Sequence, residues 1–137
     1  MYEAFRAGAG LTGSGDCLGW RQSPTSPYQW LSYNEVIARA QNFGSGLLSM
    51  GLRPGEHTMV GTATNSTKPD LFDALVQVGI YSRNCPEWVI AEHGLHTFSM
   101  VSVPLYDSLG PDCRAWVIRE TEMRVVVAQV HDYTLHD

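Results

Sequence analysis

From Val78 to Gln129 short apolar runs alternate with helical patterns, and no other feature constrains the fold as strongly. Val78–Ser82 reads as a strand, and a helix follows from about Pro86 to Thr97. Met100–Leu105 is a second strand, leading to a turn at Asp107–Pro111. A helix from about Asp112 to Glu122 precedes a last strand, Arg124–Gln129. Pro86 and Pro111 stand where a helix tolerates proline, at or before its first turn. The strands are continuous runs without polar alternation, Arg124-Val125-Val126-Val127-Ala128 above all. Such runs suit strands covered on both faces. The order β-α-β-α-β with short links predicts a parallel sheet with right-handed crossovers.

Upstream the signals are more local. Met1–Ala7 can make a short helix, and Gly8–Gly15 reads as loop. Cys17–Arg21 and Tyr28–Leu31 read as strands of a hairpin, with Ser23, Pro24, Ser26 and Pro27 between them. Ser32 and Glu35 form an S-x-x-E capping box. Val36, Ala40, Phe43 and Leu47 then recur at helical spacing, widened by Ile37 and Leu48. Gly51 and Pro54 mark the end of that helix. Gly44 and Gly46 inside it each cost about 1 kcal/mol relative to Ala. Gly55–Gly61 reads as a turn into a strand, and Pro69–Gln77 as a helix with Leu71, Phe72, Leu75 and Val76 on one side. The expected class is α/β: a β-hairpin plus a βαβαβ parallel sheet.

The 137 residues suffice for one domain of ordinary size. At 44% hydrophobic residues a packed core is expected. A net charge of -5 and nine scattered Lys and Arg leave no basic stripe, which argues against nucleic acid. Cys17, Cys85 and Cys113 are odd in number and widely spaced, as in a reducing compartment, and a cytoplasmic location is expected. No apolar run approaches the roughly 20 residues of a membrane helix. The opening MYEAFRAGAG has no secretory pattern, so Asn65-Ser66-Thr67 reads as an accidental glycosylation match.

The wording of Val78–Pro111 is specific. Val78-Gly79-Ile80-Tyr81-Ser82, Asn84, Pro86-Glu87-Trp88, Ser99-Met100-Val101, Val103-Pro104-Leu105-Tyr106-Asp107 and Leu109-Gly110-Pro111 agree, in order, with one pattern. It resembles the N-terminal region of the long-chain fatty acid–CoA ligases, of the adenylate-forming superfamily. Met1-Tyr2-Glu3, Cys17-Leu18-Gly19 and Trp30-Leu31-Ser32-Tyr33 look like upstream segments of the same family. The resemblance implies an incomplete N-terminal AMP-binding-type domain over residues 1–137. Cys85 replaces the family's usual Arg, and the last eight residues drift from its wording. Residues 62–77 have no counterpart in the family and form an atypical insert. An inserted exon or gene-model error is one reading of it; a genuine surface loop is the other.

Intact members of the family activate a fatty acid with ATP and Mg²⁺ to an acyl-adenylate, which coenzyme A converts to the thioester. They usually act on the cytosolic face of the endoplasmic reticulum or mitochondrial outer membrane, held by an anchor upstream of the matching region. Activation brings a carboxylate to a polyanion, which demands a Gly/Ser/Thr-rich loop with Lys, Mg²⁺ and a late Lys. The chain contains no T-S-G-T-T-G-x-P-K-G loop, no GxxxxGK[ST], and no GxGxxG in strand-to-helix context. Gly8-Ala9-Gly10 and Gly13-Ser14-Gly15 follow no strand and lack Lys; the sole Lys is Lys68.

Other constellations read as structural. Glu92, His93 and His96 share one predicted helix, but a metal would need a third ligand and a supporting shell. Ser82, Ser99 and Ser102 have no nucleophile elbow. Asp70, Asp73, Glu120 and Glu122 read as solvated helix carboxylates, and Trp88, Phe98, Tyr106 and Trp116 as core aromatics. No catalytic, cofactor-binding or metal residue is assigned. Three functions remain open. One is a piece of such a ligase, inactive alone. Another is a short form that binds full-length ligase through open sheet edges. The third, a small nucleotide-binding protein, is opposed by the glycine-free turn Ser82-Arg83-Asn84-Cys85-Pro86.

Overall fold

The computed structural model describes residues 2–12, 14–52, 76–106 and 108–129. The expected strand at Gly55–Gly61, most of the insert, Lys68, Asp70 and Asp73 lie outside them. The elements are α1 (Tyr2–Thr12), β1 (Asp16–Trp20), β2 (Gln29–Ser32), α2 (Tyr33–Ser49), β3 (Gln77–Tyr81), α3 (Pro86–Thr97), β4 (Val101–Pro104), α4 (Pro111–Glu120) and β5 (Val125–Ala128). Gln77, expected at the end of a helix, begins β3.

Helix α1 runs on to Thr12 instead of stopping at Ala7. Gly8 and Gly10 are therefore helical, against their propensity. Packing supplies the difference: Ala9 is buried, Phe5 meets the Tyr33 ring at 5.2 Å, and Gly8 faces that ring closely.

β1 and β2 pair antiparallel from Asp16↔Ser32 to Trp20↔Gln29, with an irregularity between Asp16 and Leu18. Gly19 lies under the Trp30 ring, where a Cβ would come within 2.7 Å of a ring carbon. Ser32 then closes the hairpin and caps α2. The Ser32 amide donates to Glu35 Oε2 at 2.8 Å, and the Glu35 amide donates to Ser32 Oγ at 3.3 Å. Such a cap contributes about 1 kcal/mol.

Helix α2 ends as its glycine demands. Gly51 takes φ +90, the Leu52 amide donates to the Leu47 carbonyl, and the Gly51 amide to that of Leu48. That is a Schellman motif, with Leu52 and Leu47 sharing one apolar cluster. Helix α3 closes the same way through the Met100 and Ser99 amides, with Ser99 in the left-handed region at φ 55.

α2 crosses α3 at two glycines. A Cβ on Gly44 would lie 2.2 Å from the Phe98 ring and 2.8 Å from the Gly94 carbonyl. One on Gly94 would lie 2.7 Å from the Ala40 carbonyl. The propensity cost of Gly44 is thus exchanged for backbone contact between helices. Gly46 has no such role; its Cβ position faces open space.

The second sheet is parallel, in the order β4-β3-β5. Val78 and Ile80 of β3 point to a core of Leu47, Leu52, Ala91, Leu95 and Met100, and Val125 and Val127 pack on the same side. Gly79 and Tyr81 point the other way by strand alternation. There Gly79 meets Met123 and Val126, and Arg114 of α4 stacks over Tyr81. α3 and α4 therefore lie on opposite faces, a doubly wound arrangement. A smaller cluster of Leu31, Val36, Ala40 and Ile90 joins the hairpin to the two long helices.

One expectation fails. Cover on both faces holds for Val78, Gly79 and Ile80 only. β4 is half-buried throughout, and β5 alternates half-buried and exposed residues. α4 buries none of its residues, so it lies lightly on its face of the sheet.

Candidate functional site

In an open parallel sheet ligands gather beyond the carboxyl ends of the strands, where successive crossovers leave to opposite faces. Here that place lies between β3 and β4. Tyr81, Ser82, Arg83, Asn84 and Cys85 form one wall; Leu105, Tyr106, Ser108, Leu109 and Gly110 form the other. Side chains hold this edge together. Ser82 Oγ lies 2.9 Å from the Arg83 carbonyl, 3.2 Å from Gln129 Oε1 and 3.4 Å from Cys85 Sγ. The hydroxyl has one hydrogen, so it donates to one of these at a time. It links the end of β3 to the residue after β5 and to the cap of α3.

Arg114 secures the other wall. Its Nη1 donates to the Leu109 carbonyl, and its guanidinium sits 5.3 Å from the Tyr81 ring centre. The Leu109 amide turns back to the Tyr106 carbonyl at 3.0 Å. Arg114, counted in the sequence only as a scattered cation, is therefore a positioning residue for this edge. Its spacing with Val117 and Thr121 is the signal that marks the inner side of α4, and all three are half-buried.

The edge carries no glycine-rich turn among the described residues. The turn after β3 has no glycine, and Cys85 caps α3 without a side-chain hydrogen bond. The letters Gly8-x-Gly10-x-x-Gly13 copy a dinucleotide fingerprint, yet Gly8 and Gly10 are helical and no strand precedes them among the described residues. The described residues include no Lys.

The other candidates of the sequence lie elsewhere in the fold. His93 stacks on Phe5 at 4.1 Å, and His96 meets His93 edge-on at 6.3 Å. No metal-binding group of three His, Cys, Asp or Glu occurs among the described residues. A cleft beside His93, lined by Phe5, Arg6, Ile37, Ala40 and Thr97, encloses about 10 Å³, room for about one water. Ser99 follows α3, Ser102 lies within β4, and Glu120 and Glu122 are exposed. Cys17, Cys85 and Cys113 are free thiols, with burial pushing the Cys17 pKa up. Trp88 and Phe98 pack on the core as expected. Tyr106 and Trp116 do not: they are 54% and 56% exposed. Their elements, the β4–α4 turn and α4, have no covering layer among the described residues.

Burial lowers the His93 pKa below its ordinary 6.5; Glu92 opposes this, while His96 and the amino terminus add to it. The folded state thus binds its proton less readily than the unfolded chain, and stability falls as pH drops below about 6.5. His93→Phe keeps the ring on Phe5 and removes the titration. Urea midpoints at about pH 7 and pH 5 should differ less for the variant than for the parent chain. Equal differences would refute this role for His93.

The framework matches known proteins closely. The profile of the AMP-binding enzyme family covers residues 74–137. Long-chain-fatty-acid–CoA ligase 6 of Mus musculus is 41% identical over 136 residues, 98% of this chain and 17% of that protein. Ligase 5 of Rattus norvegicus is 39% identical over 127 residues, 93% of this chain and 16% of that protein. The chain is a relative of the long-chain fatty acid–CoA ligases. It spans about a sixth of the length of these curated ligases. The fold agrees: O-succinylbenzoate coenzyme A synthetase of Bacillus subtilis, solved with AMP, superposes with a TM-score of 0.67. That match covers 91% of this chain and 26% of the synthetase at 16% identity. The sheet and helices thus share the fold of part of that larger structure.

Proposed function

We propose that this chain is a framework segment of a long-chain fatty acid–CoA ligase and makes no thioester by itself. The observation that carries this reading is the 41% identity to a long-chain ligase along 98% of the chain. The intact enzyme would take a fatty acid, ATP with Mg²⁺ and coenzyme A. Residues 1–137 would supply an incomplete N-terminal AMP-binding-type domain, with 62–77 as an atypical insert. The reading places it in the cytoplasm, and the intact enzyme on a cytosolic membrane face. No helix among the described residues is long and apolar enough to cross a membrane.

In this reading Ser82, Gln129 and Arg114 shape the walls beyond β3 and β4, and the charge that neutralises phosphate comes from elsewhere in the polypeptide. The chain incubated with ATP, Mg²⁺, palmitate and coenzyme A should form no palmitoyl-CoA above a protein-free control. Put in place of the matching segment of the Mus musculus ligase, it should preserve ligation. Turnover by the chain alone would overturn the first half; a folded, inactive chimera would overturn the second. A short form acting on full-length ligase is the second reading, favoured by the sheet edges left open among the described residues.

A further inference from the structure

The loop that joins β1 to β2 holds two Ser-Pro dipeptides, Ser23-Pro24 and Ser26-Pro27. The chain has seven prolines, and no other follows a serine or threonine. Pro24, Thr25, Pro27 and Tyr28 are exposed, while Ser23 and Ser26 are half-buried. Both dipeptides thus sit at the solvent-facing tip of the hairpin.

The two halves of the loop differ in shape. Ser23 to Ser26 is a turn with Pro24 at its second position, where the fixed φ of proline belongs. The Ser26 amide donates to the Ser23 carbonyl and to Ser23 Oγ, both at 3.2 Å. Ser23 Oγ is also 3.3 Å from Thr25 Oγ1 and 2.7 Å from Ser26 Oγ. Ser23 is therefore the peg inside the turn, and Ser26 stands at its exit. A residue before proline is held extended. Pro27 and Tyr28 then run without a turn into β2, which begins at Gln29. Among the described contacts Ser26 Oγ meets only the Ser23 hydroxyl, which rotation about one bond releases.

Other hydroxyls are tied to helices. Thr12, Thr97 and Thr121 donate back to the carbonyls of Gly8, His93 and Val117, and Ser32 caps α2. A kinase cleft holds the residues around its acceptor in an extended run, and a helix does not supply one.

We propose that Ser26 is a phosphorylation site for a proline-directed serine/threonine kinase, a class that reads the proline after its acceptor. Ser26 Oγ bonds to the γ-phosphorus of ATP, the bond to the β–γ bridging oxygen breaks, and ADP leaves. The hydroxyl proton passes to the catalytic carboxylate of the kinase. The product carries a charge of about −2 at pH 7. A counter-charge lies across the hairpin. Beyond the last strand pair, Trp20↔Gln29, the Arg21 guanidinium sits over the Tyr28 ring at 5.2 Å. Arg21 is the only Lys or Arg between Asp16 and Ser32. A phosphate two residues before Tyr28 draws Arg21 into charge-assisted hydrogen bonds that tie the loop across the hairpin.

The test incubates the folded chain with ATP, Mg²⁺ and either a mitogen-activated or a cyclin-dependent kinase. Mass spectrometry counts and places the phosphate, and one per chain is expected, on Ser26. Ser26→Ala removes the acceptor and should lower incorporation at least about tenfold. Pro27→Ala keeps the hydroxyl, removes the recognition element and should lower it as far. Ser23→Ala should leave most of it. Circular dichroism verifies that each variant folds. In the phosphorylated chain, phosphorus NMR should place the second phosphate pKa below the usual value of about 6. Arg21→Gln should return it to that value. No incorporation by either kinase would overturn the proposal, as would incorporation that Ser26→Ala leaves unchanged or Ser23→Ala abolishes. A phosphate pKa equal in the parent chain and Arg21→Gln would overturn the pairing with Arg21.

Discussion

Gly94→Val is expected to destabilise the chain by about 3 kcal/mol, the upper end of what overpacking a core costs. Gly94 is where α3 lies against α2. A Cβ there would sit 2.7 Å from the Ala40 carbonyl oxygen and 2.7 Å from Phe43 Cδ1. The Phe43 ring can turn aside. The Ala40 carbonyl belongs to helical backbone, so relief requires α2 and α3 to move apart. Separation would loosen Gly44 from Phe98 and disturb both apolar clusters, which share these two helices. Valine's slightly better helix propensity returns less than 1 kcal/mol. Against a native stability of about 5–15 kcal/mol the loss is large.

Gly46→Ala is the control. It lies in the same helix as Gly44 with no heavy atom near its Cβ position, and should stabilise by about 1 kcal/mol. Urea denaturation followed by circular dichroism measures both. A Gly94→Val midpoint equal to that of the parent chain would show that the helices do not touch as described.

Leu95→Ala should cost about 3 kcal/mol, by lost transfer energy and by the cavity left behind. Leu95 is 0% exposed and belongs to the core that joins α2 and α3 to β3. Its carbonyl accepts the Phe98 and Met100 amides at the end of α3, and those bonds survive the substitution. The effect therefore isolates side-chain packing. Ala115→Gly on exposed α4 should cost only about 1 kcal/mol by propensity, so the same urea experiment ranks the two. A smaller loss for Leu95→Ala than for Ala115→Gly would contradict its burial.

The caps and element order were legible because their chemistry is local. Ser32 and Glu35 are three residues apart, and the amides they satisfy are their own neighbours'. Gly51 needs only its backbone angle. The βαβαβ order follows from apolar runs and spacing, each read in no more than a dozen consecutive residues. Local propensity stops helix α1 before Gly8 because propensity describes an isolated helix, whereas Ala9 is buried and Phe5 packs on Tyr33 of α2. Tyr106 and Trp116 differ from expectation because an aromatic's size says what it could bury, not whether a layer exists to cover it. The edge beyond β3 and β4 was only partly visible: Ser82 and Gln129 are 47 residues apart, and no pattern in the chain links them.

The amino-acid sequence by itself determined the α/β class, the order of strands and helices, the helix caps and the resemblance to long-chain ligases. Each depends on neighbouring residues or on their exact order. Tertiary structure alone decided that Gly44 and Gly94 bring two helices into contact and that Arg114 braces the β4–α4 turn. It also decided the strand order β4-β3-β5. Periodicity says which face of a strand is apolar. Which neighbour its backbone meets depends on pairing between distant segments, and that is settled only when the chain packs.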